Sequence, residues 1–297
     1  MLQILLSAIS LGLLWAIMTI GVYITYRILD IADLSVEGSI TMGAAIAATS
    51  IYHGMNPFAA CALAVLGGMV AGLITGLLHT KLKIPALLSG ILTMIALYSV
   101  NLRIMGKANI SLLRMETVYS KFEAMGLGKT GAVILFGLLC VLGVIGILYW
   151  FFGTEIGCGI RATGNNSQMA RAQGINTNHM IILGLIVSNG LVALSGALIA
   201  QSQGFADIQM GIGSIVIGLA SVIIGEVLFG KKNFFSRLIA LALGALTYRI
   251  IIAVVLQMGM PANDLRMFTA ITVAFALSLP VLKTYLVPLK KSMKGGM

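Results

Sequence analysis

Three carboxylates fall within eight residues in Asp30-Ile31-Ala32-Asp33-Leu34-Ser35-Val36-Glu37. Carboxylates so grouped can hold a cation, pass a proton or contact a polar solute. Two more ionisable residues, Glu226 and Arg249, stand inside stretches that are otherwise apolar. A charge in such a stretch is costly in lipid and marks a pathway, an ion site or a buried pair. Other chemistry has little to work with. His53, His79 and His179 lie apart, and Cys61, Cys140 and Cys158 are scattered without metal or redox spacing. No metal site is expected, and the cysteines read as small packing residues. Gly126-Leu127-Gly128-Lys129-Thr130 is superficially a nucleotide loop, but the pattern needs a glycine where Glu123 stands, and no strand precedes it. With no nucleophile elbow either, no catalytic residue and no cofactor is expected. Energy for any work must then come from a partner.

A second polar element runs from Gly157 to Asn176, GCGIRATGNNSQMARAQGIN. Its first part, Gly157 to Thr163, is short and Gly-rich. Asn165 or Asn166 is a good N-cap for a helix over Ser167–Gln173, and Gly174 supplies a stop. A helix of two turns is marginal in water by itself. It needs a surface, and a small face of Ala170 and Ala172 with Met169 suits a groove. Arg161 and Arg171 add charge on the same side.

What surrounds these polar islands is built for lipid. Hydrophobic residues make up 59% of the chain and charged residues 9%, with a mean hydropathy of +1.04. A soluble domain carries about 25% charged residues. The chain is therefore read as an all-α, polytopic membrane protein. With about 20 apolar residues per span, nine candidates appear, roughly 3–26, 39–53, 57–79, 84–102, 130–152, 179–202, 211–229, 238–257 and 267–287. No stretch is left for a soluble domain. The first span lacks the basic flank and cleavage site of a signal peptide and is read as retained. Lys and Arg mark inner loops. Arg27, Lys81, Lys83, Arg161, Arg171, Lys231, Lys232, Arg237 and the tail lysines Lys290, Lys291 and Lys294 agree on one arrangement. It puts the N-terminus outside and the C-terminus in the cytoplasm of a multi-pass cell-membrane protein. The loop 103–129 has five basic residues against Glu116 and Glu123, yet alternation puts it outside. The formal net charge of +10 is then a topology signal. Nucleic acid is not an expected partner, since no basic patch is interleaved with aromatics.

The chain also repeats itself. Gly38-Ser39-Ile40-Thr41-Met42-Gly43 recurs as Gly213-Ser214-Ile215-Val216-Ile217-Gly218, each copy following an aspartate, Asp33 or Asp207. A fainter echo links Pro85-Ala86 to Pro261-Ala262. In the topology above the two copies run in opposite directions. That is an inverted-topology repeat, common among transporters, with halves of about 1–152 and 179–289 in a single domain over 1–297. The stretch before span two is either an inner loop or a segment that dips inward and lines a cavity, so that Asp30, Asp33, Ser35 and Glu37 face water. Gly68, Gly72 and Gly76 lie on one face of span three and admit a close neighbour. Glu226 could snorkel to the inner surface. Arg249 sits about 16 Å from the inner end of its span at 1.5 Å per residue. It needs a partner: an acid from the 30–37 stretch is expected, and the substrate itself is the alternative.

The segment R-A-T-G-N-N-S-Q-M-A-R-A-Q-G-I-N resembles the coupling segment of permeases in ATP-binding-cassette (ABC) importers of the branched-chain amino-acid and ribose type. The residues that carry the match are Arg161, Ala162, Gly164, Asn166, Ala170, Gly174 and Ile175. D-L-S-V-E-G-S resembles the D-L-S-V-G-S motif of that family, with Glu37 as an extra residue, and K-I-P-A-L-L-S-G-I-L-T-M resembles the opening of its fourth span. The likeness covers about residues 30 to 285. It implies a type II importer permease in which two identical copies form the pathway. Each 157–176 segment, with Arg171, would dock on a cytosolic ATPase subunit, and an extracytoplasmic binding protein would deliver a small solute. Glu226, where a small residue is usual, and Arg249 depart from the ribose-type pattern and favour an amino-acid subgroup. A sugar permease and an ion-gradient-driven secondary transporter are the alternatives.

Overall fold

In the computed structural model the described residues are 2–257, without 125, 127, 231 and 232, together with the isolated positions 267, 270, 271, 274 and 278. The first element is a long apolar rod. Helix α1 (Leu2–Tyr23) runs on into a π-helical turn (Ile24–Ile28). Asp30, at φ 56°, then breaks the chain away; aspartate tolerates this left-handed region better than most residues. Helices α2 (Val36–Tyr52), α3 (Pro57–Thr80) and α4 (Ala86–Met105) follow. The start of α3 is fixed by Asn56, whose side chain accepts from the Phe58 amide, with Pro57 in the first turn. A polar excursion then holds strand β1 (Asn109–Ser111) and a short helix α5 (Ser120–Glu123). It leads to α6 (Lys129–Gly153), α7 (Glu155–Asn165), α8 (Ser167–Ala172) and α9 (Thr177–Gln203). Strand β2 (Phe205–Asp207), α10 (Ser214–Phe229) and α11 (Phe234–Gln257) complete the described part.

Among the described residues, six helices are long and apolar enough to cross a membrane: α1 with its π turn, α3, α4, α6, α9 and α11. Segments two and seven of the nine expected are helices too, but shorter, α2 with 17 residues and α10 with 16. The ninth segment, the Pro261-Ala262 echo, Lys231, Lys232 and the tail lysines lie outside the described residues. The all-α expectation needs one correction. Strands β1 and β2 pair antiparallel, with Ile110 opposite Ala206. Two three-residue strands, 96 positions apart, carry too little periodicity to be read from sequence. The Gly-rich stretch before α8, to which the sequence pattern assigns no element, is the 11-residue helix α7, capped by Thr154, whose hydroxyl accepts from the Gly157 amide. Its glycines serve close packing: a Cβ on Gly157 would meet the backbone of Phe151 and Phe152, and one on Gly164 the carbonyl of Ile28.

Helix α9 is the axis of the bundle and packs against α1, α2 and α3. In lipid the attraction between helices comes from close contact and interhelical hydrogen bonds. The expected stripe on α3 supplies the contact: a Cβ on Gly68, Gly72 or Gly76 would run into α9 at Asn189, Leu185 and Ile182 respectively. These pairings run in opposite directions, so α3 is antiparallel to α9. So is α1, through Gly21 on the Ser188 carbonyl and the Ser195 hydroxyl donating to the Leu14 carbonyl. Helix α2 is parallel to α9, with Ser39 at Asn189 and Gly43 on the backbone of Ala193. Helix α10 is parallel to α1, with Gly218 beside Val22 and Glu226 on Arg27. Helices α2 and α10 therefore run antiparallel to one another.

The ends of α9 divide the molecule. At its N-terminal end lie α7 and α8. At its C-terminal end lies the β ribbon with the excursion that follows α4, tied down by the Val118 amide to the Gln201 side chain (3.0 Å) and the Tyr119 hydroxyl to the Leu198 carbonyl (3.0 Å). The loop 103–129 and the island 157–176 thus sit at opposite ends of the bundle, despite the basic residues they share.

Candidate functional site: short helices meeting at mid-depth and a polar projection at one end

The chain between α1 and α2 does not stay at the surface. Asp33 and Ser35 reach Asn189, which lies twelve residues after Thr177 in α9, or about 18 Å along the axis. The Asn189 amide donates to Asp33 Oδ2 (2.8 Å), and its Oδ1 accepts from Ser35 Oγ (3.1 Å) and Ser39 Oγ (2.6 Å). Asp33 Oδ1 takes the Ser35 amide (2.9 Å) and hydroxyl. All four residues are buried. The inner-loop alternative therefore fails for this stretch, because a surface loop would not reach the middle of α9. The cavity-lining alternative also fails for Asp33 and Ser35, which spend their polar atoms on one another and on Asn189. Irregular backbone at this depth is tolerated because protein covers it.

Glu37, one turn further, is placed differently. It is half-buried and its Oε1 accepts from the Gly213 amide (2.9 Å), immediately before α10. Gly213 stands at φ 82°, a conformation glycine adopts without strain. The N-termini of two antiparallel helices thus converge on one carboxylate. Beside it opens a cavity of about 360 Å³, lined among others by Thr41, Met94, Tyr98, Asn101 and Ile212.

The remaining ionisable residues separate into two places. Glu226, 8% exposed, does not snorkel: its Oε1 pairs with Arg27 Nε at 3.2 Å. A polar cavity of about 560 Å³ adjoins, lined by Tyr23, Arg27, Asp30, Arg161, Asn165 and Arg237. Asp30 is exposed here, away from Asp33 and Glu37. Arg249 joins no acid of the 30–37 stretch. Its guanidinium lies 4.2 Å from the centre of the Trp15 ring on α1. Asp33 and Glu37 are engaged by Asn189 and Gly213, and a cation over an indole face is stabilised by the ring quadrupole without any acid.

In the polar projection, Asn166 caps α8 by accepting from Gln168 (3.1 Å) and Met169 (3.0 Å) amides, and Gly174, at φ 82°, ends it. Ala170 is fully buried against the chain's own helices, whereas Met169 and Ala172 are exposed. The exposed face is therefore Asn165, Asn166, Gln168, Met169, Arg171 and Ala172, not the small face expected. Arg171 Nε donates to Thr177 Oγ1 (2.8 Å). Arg161 turns back on its own chain, donating to the Phe152 carbonyl (2.9 Å). Ala162 and Gly164 are partly buried in α7, and Ile175 is partly buried after α8.

Sequence reasoning missed Asn189, Ser39, Asn101 and Trp15. Asn189 and Asn101 had a usable signal, an amide inside an apolar span, since such groups hydrogen-bond across helices. Trp15 had none.

Short helices whose N-termini meet at mid-depth in a bundle of spanning helices, with a polar two-helix projection at one end, define a membrane transport permease. The chain belongs to the family described as branched-chain amino acid transport system / permease component, whose model matches residues 4–277. It is a multi-pass permease of an ABC transport system. It is 43% identical over 271 residues to the tyrosine transport system permease protein of Clostridioides difficile (strain R20291), covering 90% of this chain and 88% of that one. An uncharacterised protein of Rickettsia prowazekii (strain Madrid E) is 34% identical over 280 residues, covering 93% and 97%. Among solved structures, an ABC transporter described as metal-chelate type, in an inward-facing conformation, matches with a TM-score of 0.51 at 14% identity. It covers 95% of this chain and 85% of that one, and the likeness is one of fold.

Proposed function

We propose that two copies of this chain form the translocation pathway of an importer for an amino acid, with tyrosine or a similar residue as substrate. The substrate class rests on the relative named as a tyrosine transport permease. On this reading a cytosolic ATPase subunit docks on the exposed face of α8, and an extracytoplasmic binding protein delivers the amino acid at the opposite end, beside the β ribbon. The N-terminus is then outside and the C-terminus cytoplasmic. The observation that carries the docking is the capped six-residue α8, which keeps Asn166, Met169 and Arg171 outward while Ala170 anchors it. The two short helices support an inverted repeat within one domain over 1–297, because α2 and α10 are antiparallel and each carries Gly-Ser-Ile at its start.

The test uses the permease reconstituted in liposomes with its ATPase and binding protein. Arg171→Glu reverses the charge on the docking face. Gly174→Val places a branched residue at a left-handed position, which costs roughly 1–2 kcal/mol locally. Both variants are expected to insert and to lose at least tenfold of substrate-stimulated ATP hydrolysis and of uptake. Wild-type hydrolysis and uptake in both would refute docking through α8.

A further inference from the structure

We propose that the cavity between α2 and α4 is a passage subsite for the ammonium group of the solute, accepted by Glu37 and Asn101, with Met94, Ile95 and Tyr98 as the wall for its side chain. The inference rests on the amino-acid reading above and deepens it.

Three polar groups around this cavity share a character. Asn101 is 1% exposed; its Nδ2 donates to the Gly38 carbonyl (3.1 Å) and its Oδ1 has no partner. A buried acceptor without a donor is uncommon in folded proteins. Glu37 Oε1 takes one hydrogen bond, from Gly213, and a carboxylate can accept about four. The Thr41 hydroxyl donates to the Glu37 carbonyl (3.1 Å), which leaves its lone pairs as the polar feature still open to a ligand. Among the described residues that line the cavity, none is Lys or Arg. A ligand entering here meets acceptors, one of them charged, together with the Tyr98 and Ser99 hydroxyls, which can accept as well as donate. An ammonium group carries three donors and no acceptor, and so complements all of them. A carboxylate or phosphate would face Glu37 and an orphan carbonyl oxygen.

Met94, Ile95, Ile208 and Ile212 give the cavity its apolar wall, and the volume of about 360 Å³ lies within the range of small-molecule sites. The Tyr98 ring is 51% exposed and free to contact a cation or a second ring. Glu37 also stands where the N-termini of α2 and α10 meet, a favourable place for a carboxylate.

The experiment follows L-tyrosine uptake and ATP hydrolysis together in liposomes holding the complete transporter. Glu37→Gln keeps a carbonyl oxygen for the Gly213 amide, so the α2–α10 contact survives while the charge is lost. Uptake per ATP hydrolysed is expected to fall at least fivefold in Glu37→Gln and to recover at least half in Glu37→Asp. An unchanged ratio, or a parallel loss of uptake and hydrolysis, would overturn the subsite. A second measurement needs no change at Glu37. In a background with the native cysteines replaced, Ile95→Cys is labelled with a small thiol reagent. L-tyrosine is expected to slow labelling at least threefold, and its deaminated analogue 3-(4-hydroxyphenyl)propionate is not. Equal protection by both compounds, or by neither, would overturn the ammonium assignment. The two readings fail separately: a wild-type complex that takes up no amino acid but carries another solute defeats the amino-acid reading. Uptake of L-tyrosine with unaltered coupling in Glu37→Gln defeats only the subsite.

Discussion

Replacing Asn189 with leucine removes the hub that fixes the α1–α2 connection to α9. The substitution takes a donor from Asp33 Oδ2 and an acceptor from Ser39 Oγ, while Ser35 Oγ keeps Asp33 Oδ1. Two buried groups are thus orphaned, one of them on a carboxylate. Each orphan costs about 1–3 kcal/mol. Interhelical hydrogen bonds in membrane proteins average only ~0.6 kcal/mol, because the unfolded chain in the membrane finds other partners. Here the orphans remain in the folded state, enclosed by protein, so the larger figure governs and the sum is about 2–6 kcal/mol. The assay is reversible unfolding by SDS in mixed micelles, with Asp33→Leu and the double variant measured alongside. Removing both partners of a buried polar pair is cheaper than removing either alone. The double variant is therefore expected to be more stable than the sum of the singles by at least ~1 kcal/mol. Additivity within ~0.5 kcal/mol, or a loss in Asn189→Leu below ~0.6 kcal/mol, would refute the hub.

Gly43→Ala forces a methyl onto the Ala193 backbone and is expected to cost at least ~2 kcal/mol in the same assay. Gly143→Ala, with open space around it, should change stability by less than ~0.5 kcal/mol. Trp15→Leu should cost about 1–2 kcal/mol by uncovering the Arg249 guanidinium, and the loss should shrink when Arg249→Leu is added; full additivity would return Arg249 to the search for an acidic partner. Gln201→Leu removes the acceptor of the buried Val118 amide. A loss of ~1–2 kcal/mol should speed hydrogen exchange of that amide about 5–30-fold, and unchanged exchange would show that the excursion is held elsewhere.

The apolar runs were legible because spanning length and hydropathy leave little freedom. So was the glycine stripe of α3, since three small residues at intervals of four have one use in lipid. The caps at Asn166 and Gly174 could be read because capping is local. What depended on the partner could not be read. Arg249 showed that it needed something, and an acid was the natural guess. The partner is Trp15, more than 200 residues away and indistinguishable in sequence from any apolar anchor. Asp33 and Glu37 read as equivalent members of one acidic stretch. They differ because one meets Asn189 and the other a backbone amide before α10. Ala170 looked like part of an outward face because the burial of a six-residue helix is set by what it rests on. The helix α7 was hidden by glycines that serve helix contact rather than chain flexibility.

The polar hub also constrains the order in which the chain can be made. Ser39 precedes Asn189 by 150 positions and Asp33 by 156. At ~5–20 residues per second, a ribosome makes Ser39 roughly 8–30 s before it produces the side chain that completes the acidic turn. During that interval the turn has no partner for Asp33 beyond Ser35, and lipid is a hostile place for it. The turn must therefore wait at a watered edge and slide to mid-depth only when α9 arrives. Insertion of the second helix is therefore expected late in biogenesis, and a ribosome stalled before Asn189 should leave the Asp33 turn open to water-soluble reagents.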